Sequence, residues 1–286
     1  MNAGVWGGLC SVSFGGADFI ARYSSRGIGH ASALLGTFVV GTLGLTLWVL
    51  IALPAFAWSI EALGLVALNG VASTAFLLLL YEGLARGPIS VVAPIVATHP
   101  VLIVLFWVAL GERPSTVQWL AMAGTLAGSV VGACAAEASG AARGDRRELV
   151  VTIGIAVASS VFYAVAVGAG QAAVPRFGAL PSLWIGRAVS LVTLLALFTW
   201  WRERPRVERH WLPALGAQGA LDTVGYLFLF LGSAGAHPEI AAVAGSTFGA
   251  VTTLLAWLVL RERIGRAQGA GIVLVFVCVG VLAAQG

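Results

Sequence analysis

A very apolar chain holds a few side chains that are costly to bury, and their spacing limits what they can do. Gln218, Asp222 and Tyr226 stand four residues apart and share one face of a helix. Arg187 lies in the preceding apolar segment, where its long side chain can reach Asp222. A charge in a bilayer core costs roughly 2.5–3.5 kcal/mol on insertion scales, so each is a functional candidate. Asp222 suits a counter-charge for a substrate amine, or a proton carrier. Equally, Asp222 and Arg187 suit a buried pair that only joins two helices. Asn69, Ser73 and Tyr81 form a second stripe with four-residue spacing. The two stripes are predicted to line one wet cavity.

His99 stands between Pro94 and Pro100. Each proline removes a helix hydrogen bond and frees a carbonyl, which at membrane depth is tolerated only against protein or a cavity. A histidine there suits a titrating gate at a kink made by Pro94 and Pro100, or a neutral ring bonded to the freed carbonyl. Tyr163, Trp184 and Phe248 lie deep in apolar segments and suit stacking on substrate, or packing. Asp18 and Arg22 have the i, i+4 spacing of an interfacial ion pair. Glu239 follows Pro238, where a carboxylate meets the positive end of a helix dipole.

Enzyme and metal signatures are missing. There is no HExxH, no GxSxG and no glycine-rich phosphate loop with its lysine. His30, His99, His210 and His237 are scattered, and Cys10, Cys134 and Cys278 have neither disulfide nor zinc spacing. No cofactor, metal or direct ATP coupling is expected.

The elements that position these residues follow from composition. Of 286 residues, 59% are hydrophobic and 10% are charged, and the mean hydropathy is +0.96. A soluble domain carries about 25% charged residues, so lipid must be part of the solvent. The net charge of +4 comes from arginine, since there is no lysine. It falls in loops, which fits membrane orientation and not a nucleic-acid partner. The first residues lack a basic region and a cleavage site, so Gly4 to Ile20 reads as a spanning helix.

A shift of 150 residues lays the chain on itself. Pro88, Trp107, Glu112, Arg113 and Gln118 fall on Pro238, Trp257, Glu262, Arg263 and Gln268, and Arg26, Ser32 and Gly36 fall on Arg176, Ser182 and Gly186. A span needs about 20 apolar residues. Breaks in the pattern predict ten, at 3–22, 31–53, 62–81, 88–110, 115–136, 149–170, 180–201, 211–232, 238–260 and 266–284. The fold class is therefore an all-α membrane protein of two five-helix repeats, 1–137 and 149–286, divided by a charged linker at 138–148. Five is odd, so the second repeat enters the membrane inverted, an arrangement that places a substrate site near the midplane.

Loops on one side hold Arg22, Arg26, Arg86, Arg143, Arg146, Arg147, Arg202, Arg204, Arg206, Arg209, Arg261, Arg263 and Arg266, while the other side holds Arg113 and Arg176. The positive-inside rule then predicts both termini outside the cytoplasm, in a plasma or bacterial inner membrane. Gly124, Gly128 and Gly132 make a smooth face. It fits a homodimer contact, or packing within a monomer.

The stretch Tyr81-Glu82-Gly83-Leu84-Ala85-Arg86-Gly87-Pro88, continuing to Pro94-Ile95, resembles the third-to-fourth helix junction of EamA-type transporters. Leu110-Gly111-Glu112-Arg113-Pro114 resembles the turn closing their fourth helix, repeated as Leu260-Arg261-Glu262-Arg263. Ser13-Phe14-Gly15-Gly16-Ala17-Asp18-Phe19 is similar to the first helix of one branch. The resemblance, to the drug/metabolite transporter superfamily, covers nearly the whole chain. It implies a ten-helix secondary transporter, often an exporter of amino acids or other small metabolites, some of them proton-linked. Two features depart from the family. Arg261 replaces a usual glycine, and relatives commonly keep their termini in the cytoplasm. The expected function is a carrier of a small amphipathic substrate by alternating access, driven by the substrate's gradient or by protons. A non-transporting sensor or assembly protein, or an intramembrane enzyme, is the alternative.

Overall fold

The structure is a computed structural model that describes residues 2–52, 59–86, 113–136, 146–235, 238–260 and 265–285, with 92, 95, 96, 99, 102, 108, 109 and 111. Among the described residues all regular structure is helical: α1 (Ala3–Ile28), α2 (His30–Ala52), α3 (Ile60–Arg86), α4 (Thr116–Ala136), α5 (Arg146–Phe177), α6 (Ala179–Trp201), a 3-10 turn (Arg209–Trp211), α7 (Leu212–Ser233), α8 (Pro238–Gly245), α9 (Phe248–Leu260) and α10 (Arg266–Gln285). Among the described residues, six segments are long and apolar enough to cross a membrane: His30–Ala52, Ile60–Arg86, Val150–Phe177, Ala179–Trp201, Arg209–Ser233 and Pro238–Val259. Large apolar side chains such as Leu43, Leu47, Val192 and Leu195 are exposed, the inverse of a soluble surface and the pattern expected of a multi-pass membrane protein.

The described helices follow the expected spans, α3 and α5 running on to Arg86 and Phe177, five and seven residues past their expected ends, and two further differences bear on the site. First, α1 runs on to Ile28, six residues past the expected end, which moves Asp18 inward from the helix terminus. Second, the expected 238–260 span is broken at Ser246-Thr247 into α8 and α9. The hydroxyls of these residues donate to the carbonyls of Val243 (2.6 Å) and Ala244 (2.9 Å). Serine and threonine compete in this way with the helix ladder. Ser11 on α1 meets the break, its hydroxyl 2.6 Å from that of Thr247. Most of the expected 88–110 span and of the 138–148 linker lies outside the described residues, and so do Pro94 and Pro100.

Single glycines join α1 to α2 and α5 to α6. Gly29 has φ +87° and Gly178 has φ +82°. Only a residue without Cβ takes this conformation freely, so a helix can reverse over one residue. The two turns fall one residue apart in the 150-residue register.

Contacts between helices follow the same register. The α1–α7 contact corresponds to α5–α3, and α2–α7 to α6–α3, while α2–α6 and α4–α10 each correspond to themselves. Close approach relies on small residues. A Cβ on Gly70 of α3 would lie 2.7 Å from the Gly186 carbonyl of α6. The glycine face of α4 packs on α10 of the same chain, with Gly124 against Cys278 and Gly128 against Gly271 and Val275.

Candidate functional site

A small cavity lies where α1, α3, α5, α7 and α9 meet, lined by Phe14, Asp18, Phe76, Leu77, Tyr163, Asp222, Tyr226 and Phe248. Its free volume is about 10 Å³, on the order of one water. The site is therefore nearly closed.

Polar and aromatic groups are sorted within it. Arg187 of α6 donates from Nη2 to Asp222 Oδ2, and both side chains are sealed, at 3% and 4% exposure. The guanidinium also lies over the rings of Tyr226 (4.7 Å) and Phe38 (5.5 Å), where the ring quadrupoles favour a cation. Among the described residues its Nη1 has no hydrogen-bond partner. The aromatic lining is continuous. Phe14 meets Tyr226 (4.9 Å between centroids) and Phe248 (6.2 Å), Phe248 meets Tyr163 (6.1 Å), and Tyr163 stacks on Phe76 (4.2 Å). The helix break before Phe248 sets this ring against the α1 and α5 aromatics.

Asp18 is the lining residue whose position the sequence did not disclose. It was expected to pair with Arg22 at the interface. Instead it is 7% exposed and faces the same cavity as Asp222. No ion pair or hydrogen bond holds its carboxylate among the described residues. The spacing from Arg22 suggested a surface pair because the inward extent of α1 depends on the Gly29 turn. Phe14 and Phe76 carry no signal in the sequence beyond being apolar.

The other expected site residues divide into two groups. Asp222, Arg187, Tyr226 and Tyr163 come together at the cavity, and Ser73 is buried beside Tyr226. His99 lies behind the lining, its ring 4.1 Å from Tyr163 and 6.1 Å from Phe248. Its Nδ1 donates to the Val96 carbonyl at 2.7 Å. In a regular helix that carbonyl would accept from residue 100, a proline, which has no N–H.

The second group serves as fasteners. Gln218 is fully engaged: Oε1 accepts from Ser24 (2.6 Å), and Nε2 donates to Thr37 (2.8 Å) and Tyr81 (3.0 Å). Four helices thereby meet at one amide. Asn69 donates to the Ala166 carbonyl at 2.7 Å, joining α3 to α5. Trp184 donates to Thr46 at 3.0 Å, joining α6 to α2. None of these three lines the cavity. Among the described residues no group of His, Cys, Asp and Glu is arranged to hold a metal ion.

Outer ion pairs show which helix ends lie together. His30 (2.8 Å) and Arg86 both meet Glu82, bringing the α1–α2 turn to the end of α3. At the opposite end of α3, Glu61 meets Arg176 at 3.1 Å. Beside the α1–α2 turn opens a second, wide cavity of about 1010 Å³, with Arg26, Arg204 and Arg206 among its lining.

Comparisons with known proteins bear on the whole chain. A model of the EamA-like transporter family matches residues 2–132 and again residues 151–284. A Synechocystis protein named uncharacterized transporter sll1319 is 27% identical over 215 residues, which are 72% of this chain and 62% of that protein. The chain thus spans under two thirds of that relative's length. A protein crystal structure of 20% identity superposes with a TM-score of 0.74, covering 99% of this chain and 98% of the other. At that identity the likeness shows the fold alone.

Proposed function

Since the chain belongs to the EamA-like transporter family, a family of membrane transporters, we propose that it is a secondary carrier of a small amphipathic metabolite, such as an amino acid, working as an exporter by alternating access. The observation that carries this reading is the cavity. It is buried, is bordered by the Asp222 side of an ion pair and by a continuous aromatic wall, and lies between helices of both halves of the chain. Placing charge at such depth is costly without a ligand or proton to handle.

Two observations support a ten-span plan with an inverted repeat. The family model matches once in each half, and the helix contacts exchange under the 150-residue shift. With five spans per half, the second half is inverted, and rocking of the halves about the cavity gives alternating access. The break at Ser246-Thr247 provides one deformable point, and Pro94 and Pro100 are proposed to supply another. Asp222, Arg187, Tyr226, Ser73 and Tyr163 are the proposed contacts with substrate, protons being the coupling ion. The arginine bias places the Arg204 end in the cytoplasm and both termini outside, in a plasma membrane.

Flux into proteoliposomes tests this reading. Purified protein is expected to move at least one solute of a broad metabolite panel down an imposed solute or proton gradient. No movement of any solute under either gradient would remove the carrier assignment.

A further inference from the structure

The wide cavity beside the α1–α2 turn is amphipathic. Its polar wall carries Arg26, Arg204 and Arg206, and among the described residues none of the three pairs with a carboxylate. Ser25 lines the same space, with a side chain buried at 3% exposure and a hydroxyl that has no hydrogen-bond partner among the described residues. A buried hydroxyl without a partner is destabilising, so an acceptor is what this wall lacks. The apolar wall is Ile28, Phe198 and Trp201. It leads onto the outer faces of α2 and α6, where Leu43, Leu47, Val192 and Leu195 are exposed. Trp200, 82% exposed at the end of α6, has the position of an anchor at a membrane–water interface.

We propose that this cavity binds the phosphodiester headgroup of one anionic phospholipid, apart from the transport cavity and independently of the carrier reading. The phosphate oxygens accept from the guanidinium groups and from the Ser25 hydroxyl, and the glycerol and first methylenes lie on Phe198 and Trp201. Charge matches such a ligand. Glu203 and Glu208 also border the cavity, so three arginines face two carboxylates. His30 is already committed to Glu82. One positive charge is left over, which a single phosphodiester neutralises and a zwitterionic lipid does not. A free phosphate has the same acceptors but would leave the apolar wall uncovered. The volume of about 1010 Å³ accommodates a headgroup with its glycerol.

The segment that carries two of the arginines is held in place. Arg202 turns the chain at the end of α6 with φ +57°, and the N–H groups of Arg202 and Glu203 donate to the carbonyls of Thr199 (3.3 Å) and Phe198 (3.2 Å). Two residues past Arg204, the Arg206 N–H donates to the Ser32 hydroxyl at 3.0 Å. The segment therefore runs from the end of α6 to the start of α2, and Arg204 and Arg206 stand on it opposite Ser25 and Arg26 of α1. A lipid bound there joins the α1–α2 turn of the first half to the α6–α7 segment of the second. It stabilises this arrangement of the two halves by binding it in preference to any that separates them.

Lipid binding by delipidated protein in detergent tests the site, read as a shift in melting temperature and as bound lipid counted in native mass spectra. Phosphatidylglycerol is expected to raise the melting temperature with concentration and to add one tightly held lipid per chain. Phosphatidylcholine and phosphatidylethanolamine, with the same phosphodiester but no net charge, are expected to bind roughly tenfold more weakly. Glycerol 3-phosphate at equal phosphate concentration is expected to give no shift. Arg204→Gln with Arg206→Gln is expected to weaken phosphatidylglycerol binding roughly tenfold. Arg202→Gln with Arg209→Gln removes the same charge from the same segment outside the lining and is expected to change binding little. All four arginines are exposed, so these variants keep the fold. Ser25→Ala gives up no hydrogen bond of the lipid-free protein, and is expected to weaken binding severalfold at an unchanged lipid-free melting temperature. Equal weakening by the two arginine pairs reports a diffuse basic surface and overturns the site, as does unchanged binding in Ser25→Ala. Equal binding of uncharged lipid, or an equal shift with glycerol 3-phosphate, overturns the anionic lipid as its ligand. None of these readouts requires transport, so each outcome leaves the carrier reading intact.

Discussion

Arg187 of α6 and Asp222 of α7 form a sealed ion pair, and the guanidinium is also held over the rings of Tyr226 and Phe38. Removing one partner leaves the other charge buried alone, a loss of about 3–5 kcal/mol where such pairs are broken. Asp222→Leu is therefore expected to lower the melting temperature sharply and to stop transport. Arg187→Met with Asp222→Leu removes both charges, and replacing a buried pair by apolar groups is often neutral or stabilising. The double variant is expected to recover thermal stability yet remain inactive. Transport by the stable double variant would make the pair structural only.

The Gly70 contact gives a paired prediction on packing. A Cβ there would lie 2.7 Å from both the Gly186 carbonyl and the Val189 side chain. Backbone cannot yield cheaply, so Gly70→Ala is expected to separate α3 from α6, lower stability and slow transport. At Gly216 on α7 a Cβ would meet nothing within 4 Å. Gly216→Ala is expected to be neutral or to gain up to about 1 kcal/mol from helix propensity. Melting temperatures of the two variants in one detergent check the contrast.

His99 is committed by its Nδ1–H to the Val96 carbonyl and packs against Tyr163. A carbonyl can only accept, so this bond needs the N–H but not a charged ring. His99→Phe keeps a flat ring and loses the bond, at about 1 kcal/mol. The pH dependence of transport is expected to persist with its midpoint unmoved, while stability falls slightly. A flattened pH–flux profile would transfer the proton to His99.

The sequence disclosed helices and charges more readily than the cavity itself. Apolar runs marked α2, α6 and α7 within a residue, and the central parts of α3 and α5, because bilayer thickness fixes span length. Asp222 and Arg187 stood out because charge is rare in such runs. Asp18 did not, since its depth depends on how far α1 continues before the Gly29 turn. Gln218 and Asn69 looked like Asp222 by period. Period reports a face of the helix, whereas whether a polar group meets a cavity or another side chain is a property of packing. The break before Phe248 arises from hydroxyl competition at Ser246-Thr247, which no hydropathy pattern records.

Orientation is open to direct chemical test, because the ion pairs fix which helix ends are neighbours. Glu61 and Arg176 meet at one end, and Arg204 borders the wide cavity at the α1–α2 turn. The orientation proposed from the arginine count has the Arg204 end in the cytoplasm. With Cys10, Cys134 and Cys278 replaced, Glu61→Cys is expected to react with an impermeant thiol reagent in intact cells. Arg204→Cys is expected to react only after the cells are opened. Both positions are outward-facing, with the Glu61 side chain 72% exposed, so a protected thiol reports the membrane and not burial in protein. The reversed pattern would put both termini in the cytoplasm, as relatives commonly have them, and the proposed direction of transport would reverse with it.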